Sequence, residues 1–181
     1  MRHSLLLFIL PLLFSSCARE VPQPTVTNID LNRYAGQWHE VARLPNPFEK
    51  NLVAARATYQ LTEEGTLTEE GTLTVVNDGL AADRKTTNIR GIATQPNPQI
   101  PGQLEVRFNR FPANLFTGKY WVLALDDAHT RALIGSPKQN FLWLLSKDPN
   151  DTQSDFSHYL KVAKDLGYNT ETIIWNPERI E

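Results

Sequence analysis

Cysteine is almost missing from this chain, with one in 181 residues. A single thiol has no partner within the chain, so no intramolecular disulfide stabilises the fold. No charge of either sign dominates. The 18 basic and 20 acidic side chains leave a net −2, which argues against a nucleic-acid surface. Histidine is sparse at four, and neither a metal-ligand cluster nor a Ser/His/Asp set emerges, so no metal and no cofactor are expected. Helical periodicity is scarce as well. Only Ser154 to Leu166 carries it, through Phe156, Tyr159, Leu160, Ala163 and Leu166. Asp151 or Thr152 can cap its start and Gly167 its end.

What is present begins with the first 16 residues. Arg2 and His3 precede a ten-residue apolar stretch, Leu5 to Phe14, too short to span a bilayer and suited to an export signal. Phe14-Ser15-Ser16-Cys17 comes next, and it resembles the lipobox of bacterial lipoproteins. The resemblance implies removal of residues 1–16, lipidation of Cys17 and anchoring through its acyl chains, which together hold far better than one. Ala18 is not the aspartate that usually retains such lipoproteins at the inner membrane, so an outer-membrane location is expected. Residues 17–28 then read as lipidated N terminus and polar, proline-bearing tether, and residues 29–181 as one domain.

Twelve prolines and nine glycines fall mostly between apolar runs, as many short strands require. Strands are predicted after Gly36 and over Leu52–Leu61, Leu73–Asn77, Lys85–Thr94, Gln103–Arg110, Lys119–Asp126, Arg131–Gly135 and Leu142–Lys147. Turn signals include Asn77-Asp78-Gly79, Pro96-Asn97-Pro98, Asp126-Asp127 and Ser136-Pro137. Ile29 to Tyr34 reads as a helical turn, and Thr172–Trp175 as an extra edge strand. Eight strands and one helix predict an all-β barrel or sandwich. The hexapeptide Thr-Glu-Glu-Gly-Thr-Leu occurs twice in succession over 62–73. It lengthens one hairpin by an even number, preserving strand facing, and its glutamates read as a solvated tip.

Three patches stand in order: Gly36-Gln37-Trp38 with Tyr34 before it; Tyr120-Trp121-Val122-Leu123-Ala124-Leu125-Asp126; and Leu142-Trp143-Leu144-Leu145-Ser146-Lys147. Together they resemble the lipocalin family from about residue 29 onward, and in particular bacterial outer-membrane lipoprotein lipocalins and their apolipoprotein-D-like relatives. The resemblance implies an eight-stranded antiparallel up-and-down β-barrel with one C-terminal α-helix packed outside. It also implies structural motif positions at Gly36, Trp38, Asp126 and Lys147. Lys147 stands where the family usually has arginine; it can lie over Trp38 as a cation but lacks the planar fork of donors.

With Trp38 and Lys147 facing inward, alternation turns Glu40, Ala42 and Leu44 inward on the first strand and Trp143 and Leu145 on the eighth. The family pattern implies the same for Tyr120, Val122 and Ala124, for Leu104, Val106 and Phe108, for Tyr59, Ala57 and Ala55, and for Asn77 and Val75. The family implies a cavity lined at Tyr59, Asn77, Phe108, Tyr120 and Trp143. Such an aromatic sleeve suits an apolar chain with a small polar head, a lysophospholipid or fatty acid, carried or stored in the cell envelope at the periplasmic face. Glu40 would need a partner, and Lys147 is the expected one. Exposed apolar residues at the other end (Phe48, Leu80, Phe111, Leu115 and Phe116) suit guarding the mouth, touching lipid or forming a homodimer, or else fold back onto the barrel. Two other classes stay open. One is an envelope adaptor with a filled barrel. The other is an enzyme acting on a hydrophobic substrate, although the only cysteine is the lipidation site and His39, His129 and His158 are predicted outside the cavity.

Overall fold

The structure, a computed structural model, describes residues 23–61, 72–110, 113–115 and 117–180. The leader, Cys17, most of the duplicated hexapeptide, and Phe111 and Phe116 lie outside the described residues. Apolar alternation between proline- and glycine-bearing loops resolves into nine strands. These are β1 (Gly36–Arg43), β2 (Leu52–Leu61), β3 (Thr72–Ala81), β4 (Thr86–Thr94), β5 (Gln103–Phe108), β6 (Thr117–Leu125), β7 (Arg131–Gly135), β8 (Leu142–Ser146) and β9 (Ile174–Trp175). Consecutive strands from β1 to β8 pair antiparallel, and β8 returns to β1. The result is a closed eight-stranded up-and-down barrel, with β9 added on β1.

Two helices complete it: α1 (Leu31–Tyr34), capped by the Asp30 side chain, and α2 (Ser157–Asp165). A 3-10 turn over Gln153–Phe156 takes up the start of the predicted helix. Thr152 and Asp155 form a reciprocal capping box there, and Gly167 stops the helix at φ +89°. One apolar core lies inside the barrel, built on Tyr34, Trp38, Tyr59, Leu73, Val106, Ile134 and Leu145. A second lies between the wall and α2, where Val41, Leu133 and Leu144 meet Phe156, Tyr159 and Ala163. The connections 44–51, 82–85, 109–116 and 136–141 join strands at one end of the barrel. Those at 62–71, 95–102 and 126–130 join them at the other, which α1 and Trp38 occupy.

The structure departs from simple alternation at three register shifts, one between Leu52 and Ala54 in β2 and two that redirect residues expected inside. Between Glu40 and Ala42, and again between Val122 and Ala124, the register against the neighbouring strand shifts by one residue. Each inserted residue (Val41, Leu123) reverses the facing of its successors along the strand. Ala42, Leu44 and Ala124, expected inside, therefore pack in the outer core instead. Asn77-Asp78-Gly79 is likewise no turn but the middle of β3. Gly79 is buried there because a Cβ would run into Thr87 and Leu52 at 2.6 and 2.8 Å. The turn comes later, at Ala82 to Lys85, with Arg84 at φ +67°.

Gly135 ends β7 against the outer core, where a Cβ would collide with the Tyr168 hydroxyl and with Leu123 at 2.6 Å. That hydroxyl accepts from the Ser136 amide and donates to Gln23. Gly135→Ala should therefore cost about 1–3 kcal/mol by overpacking. Urea unfolding checks this, and an unchanged midpoint would show that Tyr168 yields freely.

Candidate functional site

The closed end is built around the turn that joins α1 to β1. Gly36 adopts φ +112° there, open to glycine but strained for other residues. That turn brings Trp38 under α1, where its indole N–H donates to the Tyr34 carbonyl at 2.7 Å. Lys147 lies 5.0 Å from the Trp38 ring centroid and donates to the carbonyls of Arg33 and Ala35 at 2.6 and 2.8 Å. The ammonium thus performs two of the bonds a guanidinium fork could make and keeps the cation–π contact. Asp126 organises the adjoining turn by accepting from the Thr130 amide, the Thr130 hydroxyl and the Arg131 amide. Burial pushes its pKa up, but these hydrogen bonds outweigh that and hold it below the usual carboxylate value.

Above this plug the inner wall changes character. Tyr34, Trp38, Tyr59, Leu73, Val75 and Leu104 are buried, whereas Ala57, Asn77, Phe108, Tyr120 and Trp143 are only half-buried although they face inward. The inner wall is thus packed at the closed end and partly accessible toward the mouth. Tyr34 and Tyr120 share a hydroxyl–hydroxyl hydrogen bond of 2.7 Å. Tyr59 packs between them, with ring centroids at 5.5 and 6.0 Å. Burial raises the pKa of all three, that of Tyr59 to about 12, so they stay protonated donors at neutral pH. Asn77 stands higher on β3, and its buried Oδ1 has no hydrogen-bond partner among the described residues. At the mouth Trp143 stacks on Phe141 at 5.6 Å, and Phe141 on Phe48 at 6.0 Å. Phe108, Tyr120 and Trp143 pack against the same inner cluster as Tyr59, and Asn77 stands opposite Ala57 on the neighbouring strand.

Glu40 does face inward, opposite Leu145, but its partner is not Lys147. The bulge at Val41 returns Arg43 to the inner face, where its guanidinium donates to Glu40 Oε1 at 2.8 Å. Asn176, just beyond β9, donates to the same oxygen at 2.9 Å and accepts from Arg43. Arg43 also donates to the carbonyls of Glu49 and Leu52, and Glu49 accepts from the Trp143 indole at 3.0 Å. Burial, then the nearby Glu49 charge, pushes Glu40 up to about 8 against the pull of Arg43 and Asn176. The three described histidines sit elsewhere. His39 is on the outer face, its pKa lowered by burial and then by Arg179 and Arg56. His129 accepts from the Asp30 amide in a closed-end turn, and His158 is exposed on α2.

This architecture agrees with comparison to known proteins. The profile of the Lipocalin-like domain matches residues 29–178. The chain belongs to the lipocalin family. The outer membrane lipoprotein Blc of Escherichia coli is 32% identical over 164 residues, covering 88% of this chain and 87% of that one. Temperature-induced lipocalin-1 of Arabidopsis thaliana is 32% identical over 158 residues, covering 84% and 81%. The crystal structure of insecticyanin from Manduca sexta superposes with a TM-score of 0.64 at 21% identity, covering 87% of each chain.

In this lipocalin Arg43, Asn176 and Glu49 escaped sequence reading because strict alternation sent Arg43 outward and nothing linked residue 176 to residue 40. The signal available was negative: an inward glutamate needed a cation. Glu40 binds its proton more tightly folded than unfolded, so its contribution is complete below about pH 4.5 and is lost as pH rises through about 8. Between those values wild-type stability should fall by about 1 kcal/mol per pH unit relative to Glu40→Gln, as denaturant melts across pH would read. Lys147→Met should cost about 1–3 kcal/mol by stranding two carbonyls. In a double-mutant cycle with Glu40→Gln it should be additive to within about 0.5 kcal/mol; stronger coupling would restore the Glu40–Lys147 pairing.

Proposed function

We propose that this lipocalin is a lipid-anchored carrier or store for a small amphiphile, a lysophospholipid or fatty acid, in the bacterial cell envelope. The observation that carries the reading is the half-buried inner wall around Ala57, Phe108, Tyr120 and Trp143, with the Asn77 acceptor as an isolated polar handle. Each methylene moved from water into such a sleeve contributes about 0.8 kcal/mol. One acyl chain can therefore offset the cost of immobilising the ligand without a charged anchor. A barrel filled to the mouth, acting only through its loops, would leave no lumen-facing exposure.

The envelope assignment rests on the export signal and Cys17, and on relatives named outer membrane lipoprotein Blc. Residues 1–16 are removed, 17–28 form the lipidated tether, and the acyl chains hold the domain at the periplasmic face of the outer membrane. The protein works as a binder, without metal or cofactor. Tyr59, Asn77, Phe108, Tyr120 and Trp143 line the path of the bound chain.

Native mass spectrometry of protein extracted in mild detergent, followed by lipid analysis, tests this. The expected result is a one-to-one adduct that competes with added lysophospholipid or fatty acid. Ala57→Phe, which adds a ring to the lumen, should weaken binding by about tenfold or more while the melting temperature stays near wild type. A protein that carries no lipid and takes up neither class would remove the carrier reading in favour of the filled-barrel adaptor.

A further inference from the structure

The first described residues fix where the chain leaves the domain. Gln23 is buried beside the mouth-side end of β7. Its amide donates to the Ser136 carbonyl at 3.1 Å, and its oxygen accepts from the Tyr168 hydroxyl at 2.9 Å. From there the chain descends the outer wall. The Val26 amide donates to Val122, which pairs with Ile134 two residues below Ser136. The Asp30 amide then reaches His129 in a closed-end turn, and α1 begins. The first described residue, Gln23, thus lies level with the mouth-side end of β7. Cys17 is six residues away, a reach of at most about 20 Å.

Charge divides along the same axis. The four mouth loops hold Lys50, Arg84, Lys85, Arg110 and Lys138, all exposed, against Glu49 and Asp83. Among the described residues the closed-end loops 95–102 and 126–130 hold Asp126 and Asp127 and neither lysine nor arginine, with Arg33 and Lys147 beside them at the α1 turn. The mouth also presents Phe48, 78% exposed, and Leu115, 64% exposed. Phe48 is the outer member of the aromatic stack that continues through Phe141 to Trp143 in the lumen. Basic loops around exposed apolar tips suit an anionic bilayer surface. The described closed-end loops offer instead the Asp126 and Asp127 carboxylates and one partly exposed large apolar residue, Ile100.

We infer that the barrel sits mouth-down on the membrane that holds its anchor, with Phe48 and Leu115 dipping into lipid and the surrounding lysines and arginines on anionic headgroups. This orientation rests on the anchored reading above. It gives an amphiphile a continuous apolar path, from bilayer along the Phe48–Phe141–Trp143 stack into the sleeve, without crossing water.

The test uses the full lipidated protein in vesicles containing phosphatidylglycerol, with the photocrosslinking residue benzoylphenylalanine replacing Phe48, Leu115 or, at the closed end, Ile100. The first two sites should crosslink to lipid and the third should not. Crosslinking from Ile100 alone, or from none of the three, would overturn the orientation. Mass measurement of Cys17 separates this from the anchoring itself. If the cysteine carries no lipid, anchoring fails, and the unanchored chain mixed with the same vesicles decides the mouth: crosslinks from Phe48 sustain it and their absence overturns it. Without the anchor, Lys50→Glu combined with Lys138→Glu should weaken vesicle binding by about thirtyfold at low salt; unchanged binding counts against the basic surface.

Discussion

A barrel has to close on itself, and here that burden falls on β1. One edge of this strand pairs with β8; the other pairs first with β2, from Gly36↔Tyr59 to His39↔Arg56, and then with β9, at Ala42↔Trp175 and Arg43↔Ile174. Between those two ladders β1 bulges at Val41. The strand bends away from β2, and the C-terminal segment enters the gap. The Asn176 amide donates to the Val41 carbonyl and the Glu178 amide to Val53. Backbone groups left without a partner across the β1–β2 gap are thereby satisfied from the C-terminal segment, far away in sequence.

The same bulge explains the charges in the wall. It puts Glu40 and Arg43, three apart, on one face, and the C-terminal segment delivers Asn176 to complete their hydrogen bonding. Burial keeps the Glu40 carboxyl largely protonated at neutral pH, so the contact is a hydrogen bond from the Arg43 guanidinium more than a full ion pair. Glu49, 3.8 Å away, is the second acidic group facing that cation. What the arrangement provides is specificity of closure. Asn176 meets Glu40 only when β9 is in register, so a slipped C-terminal strand would leave a carboxyl and a guanidinium short of partners.

The readable part of the sequence was whatever obeys a short period or matches a family motif. The many short strands and the C-terminal edge strand come from alternation, and the outer helix from one helical period. The closed barrel and the inward facing of Tyr59, Asn77, Phe108, Tyr120 and Trp143 come from the lipocalin resemblance. So does Trp38 at the plugged end. The unreadable part was whatever a single inserted residue reverses. Val41 and Leu123 look like ordinary strand residues, yet each redirects its successors, so Ala42, Leu44 and Ala124 moved to the helix side. Asn77-Asp78-Gly79 misled for the opposite reason. Its composition favours a turn locally, but Gly79 is needed where Leu52 and Thr87 leave no room for a side chain, and tertiary packing won. Lys147 and Glu40 failed as a pair because both were placed near the plug, whereas Lys147 is held by carbonyls of the α1 turn and Glu40 leans toward the mouth.

The molecule is thus polar along its axis in chemistry as well as in shape. At one end an indole, a lysine and the turn around Asp126 seal the bottom with short hydrogen bonds. At the other, loops hold their aromatic residues outward, and the ion-pair network sits just beneath them. A sealed bottom confines exchange to the mouth. Phe48, exposed in the free protein, loses little by leaving water for lipid or ligand, and its stacking on Phe141 keeps that passage apolar down to Trp143. The buried Glu40–Arg43 pair borders the passage but has its hydrogen bonds filled by Asn176 and backbone carbonyls, so it offers an incoming headgroup no vacant charge. Under the proposed carrier role, selection at the mouth would fall to the length and shape of the apolar chain, with the unpartnered Asn77 Oδ1 as the polar handle.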